Sequence, residues 1–397
     1  MLRQGGPVVP AVVRAVRIVR YLERRGSRGA TLAEIHRVLD LNKSTCHNLL
    51  KTLVALGLVE FLPRARRYQL GPALFAVGRP VDRSLQGLSS GRPIAPRKRR
   101  HRGWGAMIPE RFAYLAPTSV AEAVQLLRTH GSDARLLAGG HSLIPLMKLR
   151  LATPQVLIDL NRIPGLAYVE ERDGVLRIGA LTRHADMEYA DVVRRRYPLL
   201  ADAARVIADP LVRNMGTVGG SLAHADPAGD WGAAMLAVRA TVAATGPRGE
   251  RVVPIDEFFL DTFATALEPD EVLTEIRVPQ PAPRTGGAYL KLERKVGDFA
   301  IAAVGVQVTL DARGACTAAG IGLCNAGPRS LRAREAEDAL LGRVPDEAAI
   351  ARAAEAAAHG ADPSSDLRGP AEYKRDVIRI LTARALRRAL ARASGRE

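Results

Sequence analysis

The chain has 397 residues, of which 47% are hydrophobic and 4% aromatic, and it carries a net charge of +17. This length allows two or three domains, and the composition supplies a large, mainly aliphatic core. The charge is concentrated in residues 1–106, where 21 Lys or Arg outnumber 5 Asp or Glu, whereas the remainder is almost neutral. A basic segment joined to a neutral body indicates that the first quarter binds nucleic acid or another anionic surface.

Cysteine content and hydropathy exclude several further classes of protein. Cys46, Cys316 and Cys324 are far apart, and no Cys-x-x-Cys occurs. This argues against a disulfide scaffold and against a zinc or iron–sulfur site in this chain, and it favours a cytoplasmic location. No apolar run reaches about 18 residues, so we expect no membrane insertion.

The first quarter predicts a winged helix-turn-helix. Apolar residues recur on one face over 11–25, and Thr31 with Glu34 forms the pattern of a capping box. A helix with a polar first turn is predicted over 43–53. Two short strands then follow, at 59–61 and 67–70. This order of elements is typical of a DNA-binding module with a basic wing.

Residues 10–78 resemble the DNA-binding domain of IclR-type transcription regulators, on the stretches LNKSTCHNLL at 41–50 and YQLG at 68–71. The resemblance implies that helix and wing residues contact DNA: Lys43, Ser44, Thr45, His47, Asn48, Arg64, Arg66 and Arg67. The alternative is that these are solvated helix and hairpin faces. Such regulators continue into an effector-binding domain, whereas here residues 79–106 predict a basic linker rich in Gly, Pro, Ser and Arg.

The body of the chain alternates helices and strands. Ser119 is predicted to cap a helix that runs to His130, and Thr182 is predicted to start a later helix. The other predicted helices are 142–151, 199–208 and 371–393, the last with Val377, Ile380, Leu381, Leu386 and Leu390 on its apolar face, and residues 346–359 form an alanine-rich stretch before it. The predicted strands are 134–137, 156–160, 176–180, 304–310 and 315–323, the last two antiparallel.

Two glycine-rich segments predict a ligand site. The first glycine loop is Ala138, Gly139, Gly140, His141 and Ser142; the second glycine loop is Thr217, Val218, Gly219, Gly220 and Ser221. Paired glycines let the backbone approach a ligand closely, and two such segments predict two clamps on one long phosphorylated ligand. Neither contains Gly-x-Gly-x-x-Gly, and no phosphate-loop Gly-Lys-Ser/Thr occurs, which excludes those nucleotide fingerprints. Gly320-Ile321-Gly322 is better interpreted as strand.

Residues 107–393 resemble, essentially end to end, the FAD-binding (PCMH-type) medium subunit of molybdenum hydroxylases, the carbon monoxide and xanthine dehydrogenase group. The resemblance rests on both glycine loops and on the stretches IADP at 207–210, DPAGD at 226–230, KVGDFA at 295–300 and RGPAEY at 368–373. It implies an α+β protein: a winged helix-turn-helix, a two-subdomain α/β FAD-binding domain over 107–283, and a C-terminal antiparallel sheet with helices over 284–393.

The resemblance also implies which residues hold FAD. Both glycine loops would cradle the cofactor, Asp230 would bond its polar middle, and Leu273, Lys291 and Phe299 would lie beside the flavin. Phe299 stands where the family's carbon monoxide dehydrogenase chains carry Tyr, and Ser221 replaces a frequent Asn. Without the resemblance, Lys291 would be interpreted as a charged residue on a strand face, Phe299 as a core residue and His141 as a turn residue. His224, Asp226 and Asp230 lack the ligand spacing of a metal site, so no metal and no catalytic side chain is expected.

The implied function is electron transfer. A molybdopterin-binding large subunit would oxidise the substrate, and electrons would pass through a [2Fe–2S] small subunit to non-covalent FAD here and on to an external acceptor. A hetero-oligomer is expected. The alternative is a transcription regulator with a flavin-binding sensor, binding DNA through residues 10–78. A third hypothesis is that the physiological protein starts at Met107 and that the upstream segment is a fused remnant.

Overall fold

The computed structural model describes residues 10–25, 29–55, 58–62, 65–70 and 108–397. The chain divides into two compact units, residues 1–99 and 100–397. Arg64 and the predicted linker at 79–106 lie outside the described residues.

The described residues of the first unit form three helices and a hairpin. They are α1 (Pro10–Arg25), α2 (Leu32–Val38), α3 (Lys43–Ala55), β1 (Val59–Leu62) and β2 (Arg67–Leu70), with β1 and β2 antiparallel. Ile18, Leu22, Ile35 and Leu50 are fully buried in its core. The predicted order of elements is confirmed, because the apolar faces of the helices meet as their spacing requires.

The capping box predicted at the start of α2 is present. The Glu34 backbone N–H donates to Thr31 Oγ1 at 3.2 Å, and the Thr31 N–H donates to Glu34 Oε2 at 2.7 Å. Glu34 also accepts from the Arg67 guanidinium at 3.1 Å. The same carboxylate therefore caps α2 and anchors the hairpin to it.

The second unit opens with a small parallel sheet. Its elements are β3 (Ala113–Leu115), α4 (Val120–His130), β4 (Ala134–Leu137), α5 (Leu143–Lys148) and β5 (Val156–Asp159), with strand order β3-β5-β4. Ser119 caps α4 as predicted by accepting from the Glu122 N–H. Helix α5 ends three residues before the predicted end at 151, and Arg150 beyond it adopts a left-handed φ of +62°.

A five-stranded antiparallel sheet follows, in the order β6-β7-β12-β8-β9. The elements of this part are β6 (Val169–Arg172), β7 (Val175–Gly179), α6 (His184–Tyr189), α7 (Asp191–Arg196), α8 (Pro198–Val206), α9 (Pro210–Arg213), α10 (Val218–His224), α11 (Asp230–Ala237), β8 (Thr241–Gly246), β9 (Gly249–Pro254), α12 (Ile255–Phe258), β10 (Phe259–Asp261), β11 (Ala264–Thr265) and β12 (Val272–Pro279).

Thr182 does not start a helix, so that prediction was wrong. Its hydroxyl donates to the Tyr168 carbonyl at 2.8 Å and accepts from the Tyr168 N–H at 3.1 Å. Both bonds hold the backbone before β6 against the chain after β7. Helix α6 therefore begins two residues later, at His184.

The C-terminal part is a four-stranded antiparallel sheet in the order β13-β14-β15-β16, covered by helices. Its elements are β13 (Thr285–Glu293), β14 (Ala300–Leu310), β15 (Cys316–Cys324), β16 (Leu331–Arg332), α13 (Arg334–Asp338), α14 (Glu347–His359) and α15 (Ala371–Ala393). The predicted antiparallel pair is confirmed as β14 and β15.

Helix α15 packs on this sheet through most of the predicted face. Val377, Leu381, Leu386 and Leu390 are buried, but Ile380 is 41% exposed, so its placement on that face was wrong. Lys374 is fully buried instead, and its ammonium donates to the Ser364 carbonyl at 2.8 Å. None of the helices in the described ranges combines the length and apolarity needed to span a bilayer.

Candidate functional site

Two parallel strands deliver the first polar groups of the site to one edge. Strand β4 leads into the first glycine loop, and the adjacent β5 leads through Asp159 to Asn161. The carboxyl ends of parallel neighbours lie at the same edge of a sheet, where ligands commonly bind. Asn161 Nδ2 accordingly donates to the Ala138 carbonyl at 2.9 Å.

The first glycine loop exposes a row of backbone donors. Among the described residues, no acceptor takes the backbone N–H of Gly139, Gly140, His141 or Ser142. Gly140 has a left-handed φ of +73°, which a residue with a side chain rarely adopts. The His141 ring lies over its own turn, with Nδ1 2.9 Å from the Gly139 carbonyl. Successive free N–H groups of this kind form a nest suited to an anion.

The second glycine loop is built differently. Thr217 caps α10, its hydroxyl accepting from the Gly220 N–H at 3.1 Å. The Val218, Gly219 and Ser221 N–H groups donate to the Thr182, Ala180 and Thr217 carbonyls at 2.9, 3.0 and 3.0 Å. The amides of residues 218–221 are therefore already paired. This loop can contact a ligand in two ways. The backbone at Gly220 is not covered by a side chain, and the Ser221 hydroxyl lies beside it.

The first glycine loop lies against the second and against the two residues of the chain just before it, Met215 and Gly216. A Cβ on Gly139 would overlap the Met215 carbonyl oxygen and lie 2.7 Å from Gly216 Cα. A Cβ on Gly220 would lie 3.4 Å from Ala138 Cβ. The structure thus brings both predicted loops together, and it assigns Gly139 a role in their close contact as well as in any approach to a ligand.

Arg183 is a site residue that sequence reasoning missed. Its guanidinium donates through Nη1 to the Met215 carbonyl and through Nη2 to Asn161 Oδ1, the latter at 2.8 Å. Asn161 was missed as well, although its position directly after the strand predicted at 156–160 was a usable signal. Arg183 gave no such signal, because its place at the site depends on how the second glycine loop folds back.

His184, the next residue, is buried beneath the second loop. Its Nδ1 accepts from the Trp231 indole N–H at 2.9 Å, which places the ring proton of the neutral imidazole on Nε2. A Cβ on Gly216 would lie 2.7 Å from that Nε2. Burial lowers the pKa of His184 to about 4, with further lowering by His141, Arg183 and Arg213.

Asp230 and Lys291, both predicted cofactor contacts, contact each other. The Lys291 ammonium lies 2.9 Å from Asp230 Oδ2 and donates to the Val206 carbonyl at 3.0 Å. Tyr289 donates to Asp230 Oδ1 at 2.9 Å. Burial raises the pKa of Asp230, while the ammonium and the hydroxyl act against that shift by stabilising the carboxylate. Leu273 is likewise buried, in the central hydrophobic core.

Phe299 is an exposed aromatic residue among the predicted cofactor contacts, at 48%. The Arg368 guanidinium lies 5.7 Å from the ring centroid and donates to Asp298 Oδ1 at 3.2 Å. Arg368 holds the pKa of Asp298 below its usual range, as do the Phe299 N–H and Arg294. The ring is therefore flanked on one side by a cation fixed in place by a carboxylate.

Within the described residues, no group of His, Cys, Asp and Glu side chains could hold a metal ion. His224, considered beside Asp226, packs its ring against Phe263 at a centroid distance of 5.0 Å. Its pKa is lowered by burial.

The first unit presents the predicted DNA-facing residues on α3. Lys43, Ser44, His47 and Asn48 are exposed, Thr45 is partly buried, and Lys51 and Thr52 extend the same exposed stripe by one turn. Arg66 is exposed, whereas Arg67 is partly buried and bonded to Glu34. The sequence interpretation missed Lys51 because it lay beyond the polar first turn.

Comparison with known families covers both units. Residues 110–281 match the FAD binding domain in molybdopterin dehydrogenase, and residues 287–389 match the CO dehydrogenase flavoprotein C-terminal domain. Residues 11–63 match the IclR helix-turn-helix domain.

Individual relatives agree. The carbon monoxide dehydrogenase medium chain of Hydrogenophaga pseudoflava is 48% identical over 72% of this chain and all of its own length. A 6-hydroxypseudooxynicotine dehydrogenase subunit alpha of Paenarthrobacter nicotinovorans is 41% identical over 72% of this chain and 97% of its own length. The solved carbon monoxide dehydrogenase of Hydrogenophaga pseudoflava aligns with a TM-score of 0.71 and 50% identity, covering 72% of this chain and 99% of that one.

The free N–H groups of the first loop and the side-chain-free contact with the second loop fit the phosphate-bearing cofactor that this family binds. The chain belongs to the FAD-binding medium subunits of the molybdenum hydroxylase oxidoreductases, and it carries an IclR-type helix-turn-helix ahead of that body.

Proposed function

We propose that this chain transfers electrons from a [2Fe–2S] partner subunit to an external acceptor through non-covalently bound FAD. The observation that carries the proposal is the row of unpaired N–H groups at residues 139–142, placed against the glycine surface of the second loop. Backbone donors of this kind neutralise a pyrophosphate without requiring a cationic side chain.

The residues of the chain would divide the binding work. The first glycine loop would hold the pyrophosphate, and the second, with Gly220 and Ser221 partly exposed, would admit the adjoining part of the cofactor. The Asp230–Lys291 pair and Leu273 would form the wall behind the polar middle and the flavin, and Phe299 would cover the ring system. When bound, FAD supplies the redox chemistry, and the protein sets its position and surroundings.

Partners follow from the chain's own composition and from its relatives. Cys46, Cys316 and Cys324 are free and buried, so none is arranged as a cluster ligand. We propose a molybdopterin-binding large subunit and a [2Fe–2S] small subunit in a cytoplasmic hetero-oligomer. We also propose domain boundaries at 10–78, 79–106, 107–283 and 284–393.

A substitution in the first loop tests the FAD assignment. Gly139→Val should abolish the yellow colour of the purified protein, because the side chain would collide with Met215 and Gly216. Gly360→Ala is the matched control, since a Cβ there would meet only the Ala356 carbonyl, at 3.5 Å. A colourless wild-type protein that also fails to bind added FAD would refute the proposal. Full FAD retention by Gly139→Val would refute the loop assignment.

A second function, regulation of transcription, is favoured by one observation. The exposed stripe of α3 carries two lysines, Lys43 and Lys51, with His47 and Asn48 between them. Polar side chains on such a helix are suited to the major groove, and the lysines to phosphate. In this reading the flavin-binding body serves as the sensor of the regulator.

Binding of the full chain to its promoter DNA, followed by fluorescence anisotropy across a salt series, tests that second function. Lys51→Gln should weaken binding uniformly and reduce the salt slope by about 1, whereas Asn48→Ala should relax base preference. Glu60→Gln, on the exposed hairpin, is the control. Absence of binding at low salt, or an intact mass in cells that starts at Met107, would exclude this function.

A further inference from the structure

We propose that Asn161 and Arg183 form a side-chain strap that fixes the spacing of the two glycine loops and thereby sets the affinity of the site for FAD. This inference rests on the proposed function. The strap comprises the Ala138 carbonyl, the Asn161 amide, the Arg183 guanidinium and the Met215 carbonyl, joined in that order.

The chemistry of the partners fixes the orientation of the Asn161 amide. A guanidinium can only donate, so the amide oxygen must face Arg183, with Nη2 at 2.8 Å from Oδ1. The amide nitrogen then faces the Ala138 carbonyl, at 2.9 Å. A flipped amide would oppose donor to donor and acceptor to acceptor, so only one arrangement satisfies both ends.

The other end of the strap is attached rigidly to the second loop. The backbone on either side of Arg183 pairs with that loop, since the His184 N–H donates to the Gly216 carbonyl at 3.1 Å and the Val218 N–H to the Thr182 carbonyl at 2.9 Å. The guanidinium therefore moves with the second loop. The hydrogen bond from the Arg183 guanidinium to Asn161 connects the second loop to the first, because Asn161 also donates to the Ala138 carbonyl.

The parallel sheet anchors Asn161. Its backbone N–H donates to Asp159 Oδ1 at 2.9 Å, and Nδ2 donates to the same oxygen at 2.6 Å. Asp159 is held in turn by the Tyr114 hydroxyl. The strap thus runs from strand β5 to the second loop.

Little else joins the two loops. In the described part of the chain, no hydrogen bond links residues 138–142 directly to residues 215–221. The described packing between them is that of Gly139 on Met215 and Gly216 and of Gly220 near Ala138. Packing contacts of this kind attract weakly, whereas the hydrogen bonds of the strap are directional and involve a charged group, so we expect the strap to contribute most to holding the two loops at their spacing. Loops whose spacing is fixed before binding lose less entropy when the ligand binds.

A double-mutant cycle on the full-length apoprotein tests the strap, with the FAD dissociation constant measured by flavin fluorescence quenching. Asn161→Ala and Arg183→Lys should each raise Kd about tenfold, the value expected for one lost hydrogen bond to a charged group. Lysine keeps the charge but cannot span both acceptors. Since both variants break the same strap, the double variant should be little weaker than either single one.

Arg162→Lys is the matched control, because Arg162 is an exposed neighbour of Asn161 and bonds to neither loop in the described structure. Its Kd should equal that of the wild type. Urea unfolding of each apoprotein separates loss of affinity from loss of fold, and we expect unchanged midpoints because Asn161 is exposed and Arg183 only partly buried.

Two results would overturn the strap. The first is an unchanged Kd for FAD in Asn161→Ala. The second is a double variant whose loss of FAD affinity equals the sum of the losses in the two single variants. If, in addition, the effect of Arg183→Lys faded with salt, Arg183 would be a direct phosphate contact. A wild-type chain that binds no FAD would instead refute the proposed function, so the two failures are distinguishable.

Discussion

The Lys291 ammonium and the Asp230 carboxylate form an ion pair of 2.9 Å in which both side chains are almost completely buried. Each was expected to contact the cofactor, yet in the folded chain each is the other's main electrostatic partner. Tyr289 also donates to the carboxylate, and the ammonium also donates to the Val206 carbonyl and lies 3.6 Å from Glu293 Oε2.

Breaking this pair on one side should be costly. Lys291→Met leaves a buried carboxylate without its counter-ion, and we expect a loss of about 3–5 kcal/mol in the free energy of unfolding, measured in urea. The double variant Asp230→Asn, Lys291→Met should recover part of the lost free energy of unfolding, because the buried carboxylate is then absent as well. Lys295→Met, an exposed lysine on the same segment, is the control and should change little. Equal losses in the single and double variants would contradict the pairing.

His184 should make stability depend on pH. Its pKa in the folded state is about 4, lowered by burial from 6.5, so the unfolded chain binds more protons between these values. The contribution of His184 to the free energy of unfolding should therefore be fully present above about pH 6.5. It should be lost as the pH drops towards 4, which lowers the free energy of unfolding by about 3 kcal/mol.

His184→Gln removes this titration while its amide oxygen can still accept from Trp231. Urea midpoints measured between pH 4 and pH 7 should vary less than in the wild type. His359→Gln, at an exposed position, should leave the wild-type slope. An identical slope in His184→Gln would rule out His184 as the source.

Arg368 should act on the flavin site through Phe299. Loss of a cation on an aromatic face is worth about 0.5–1 kcal/mol, so Arg368→Ala should weaken FAD binding by roughly two- to fivefold. The visible circular dichroism of the bound flavin should change as it does in Phe299→Ala. Arg294→Ala is the control, since Arg294 pairs with the same Asp298, at 3.4 Å, whereas the cation described over the ring is Arg368. Additive effects of Arg368→Ala and Phe299→Ala would contradict this link.

Gly322 should be intolerant of any side chain. A Cβ there would overlap the Ala233 carbonyl of α11, which packs directly on β15. Gly322→Ala should therefore reduce the free energy of unfolding by about 1–3 kcal/mol. The effect is measured by urea denaturation against Gly360→Ala, and equal stability of the two variants would contradict the close packing.

Much of the fold could be predicted from local patterns. The Thr31–Glu34 capping box, the Ser119 cap and the bounds of α15 depend on side chains a few residues apart, so the sequence contains the whole interaction. The prediction that Thr182 starts a helix was wrong because the partner of its hydroxyl is distant in the sequence. A threonine beside a helical pattern reads as a cap, but its hydroxyl bonds to Tyr168, fourteen residues away.

The sequence by itself determined the family, the cofactor and the position of both glycine loops, because the short motifs that carry them are local. Only the tertiary structure decided that the two loops differ, with free N–H groups at 139–142 and paired ones at 218–221, and that Asn161 and Arg183 join them. It also decided that Asp230 and Lys291 pair with each other across 61 residues of sequence. Hydrogen-bond partners and burial depend on which distant segments meet, and a linear pattern does not contain that information.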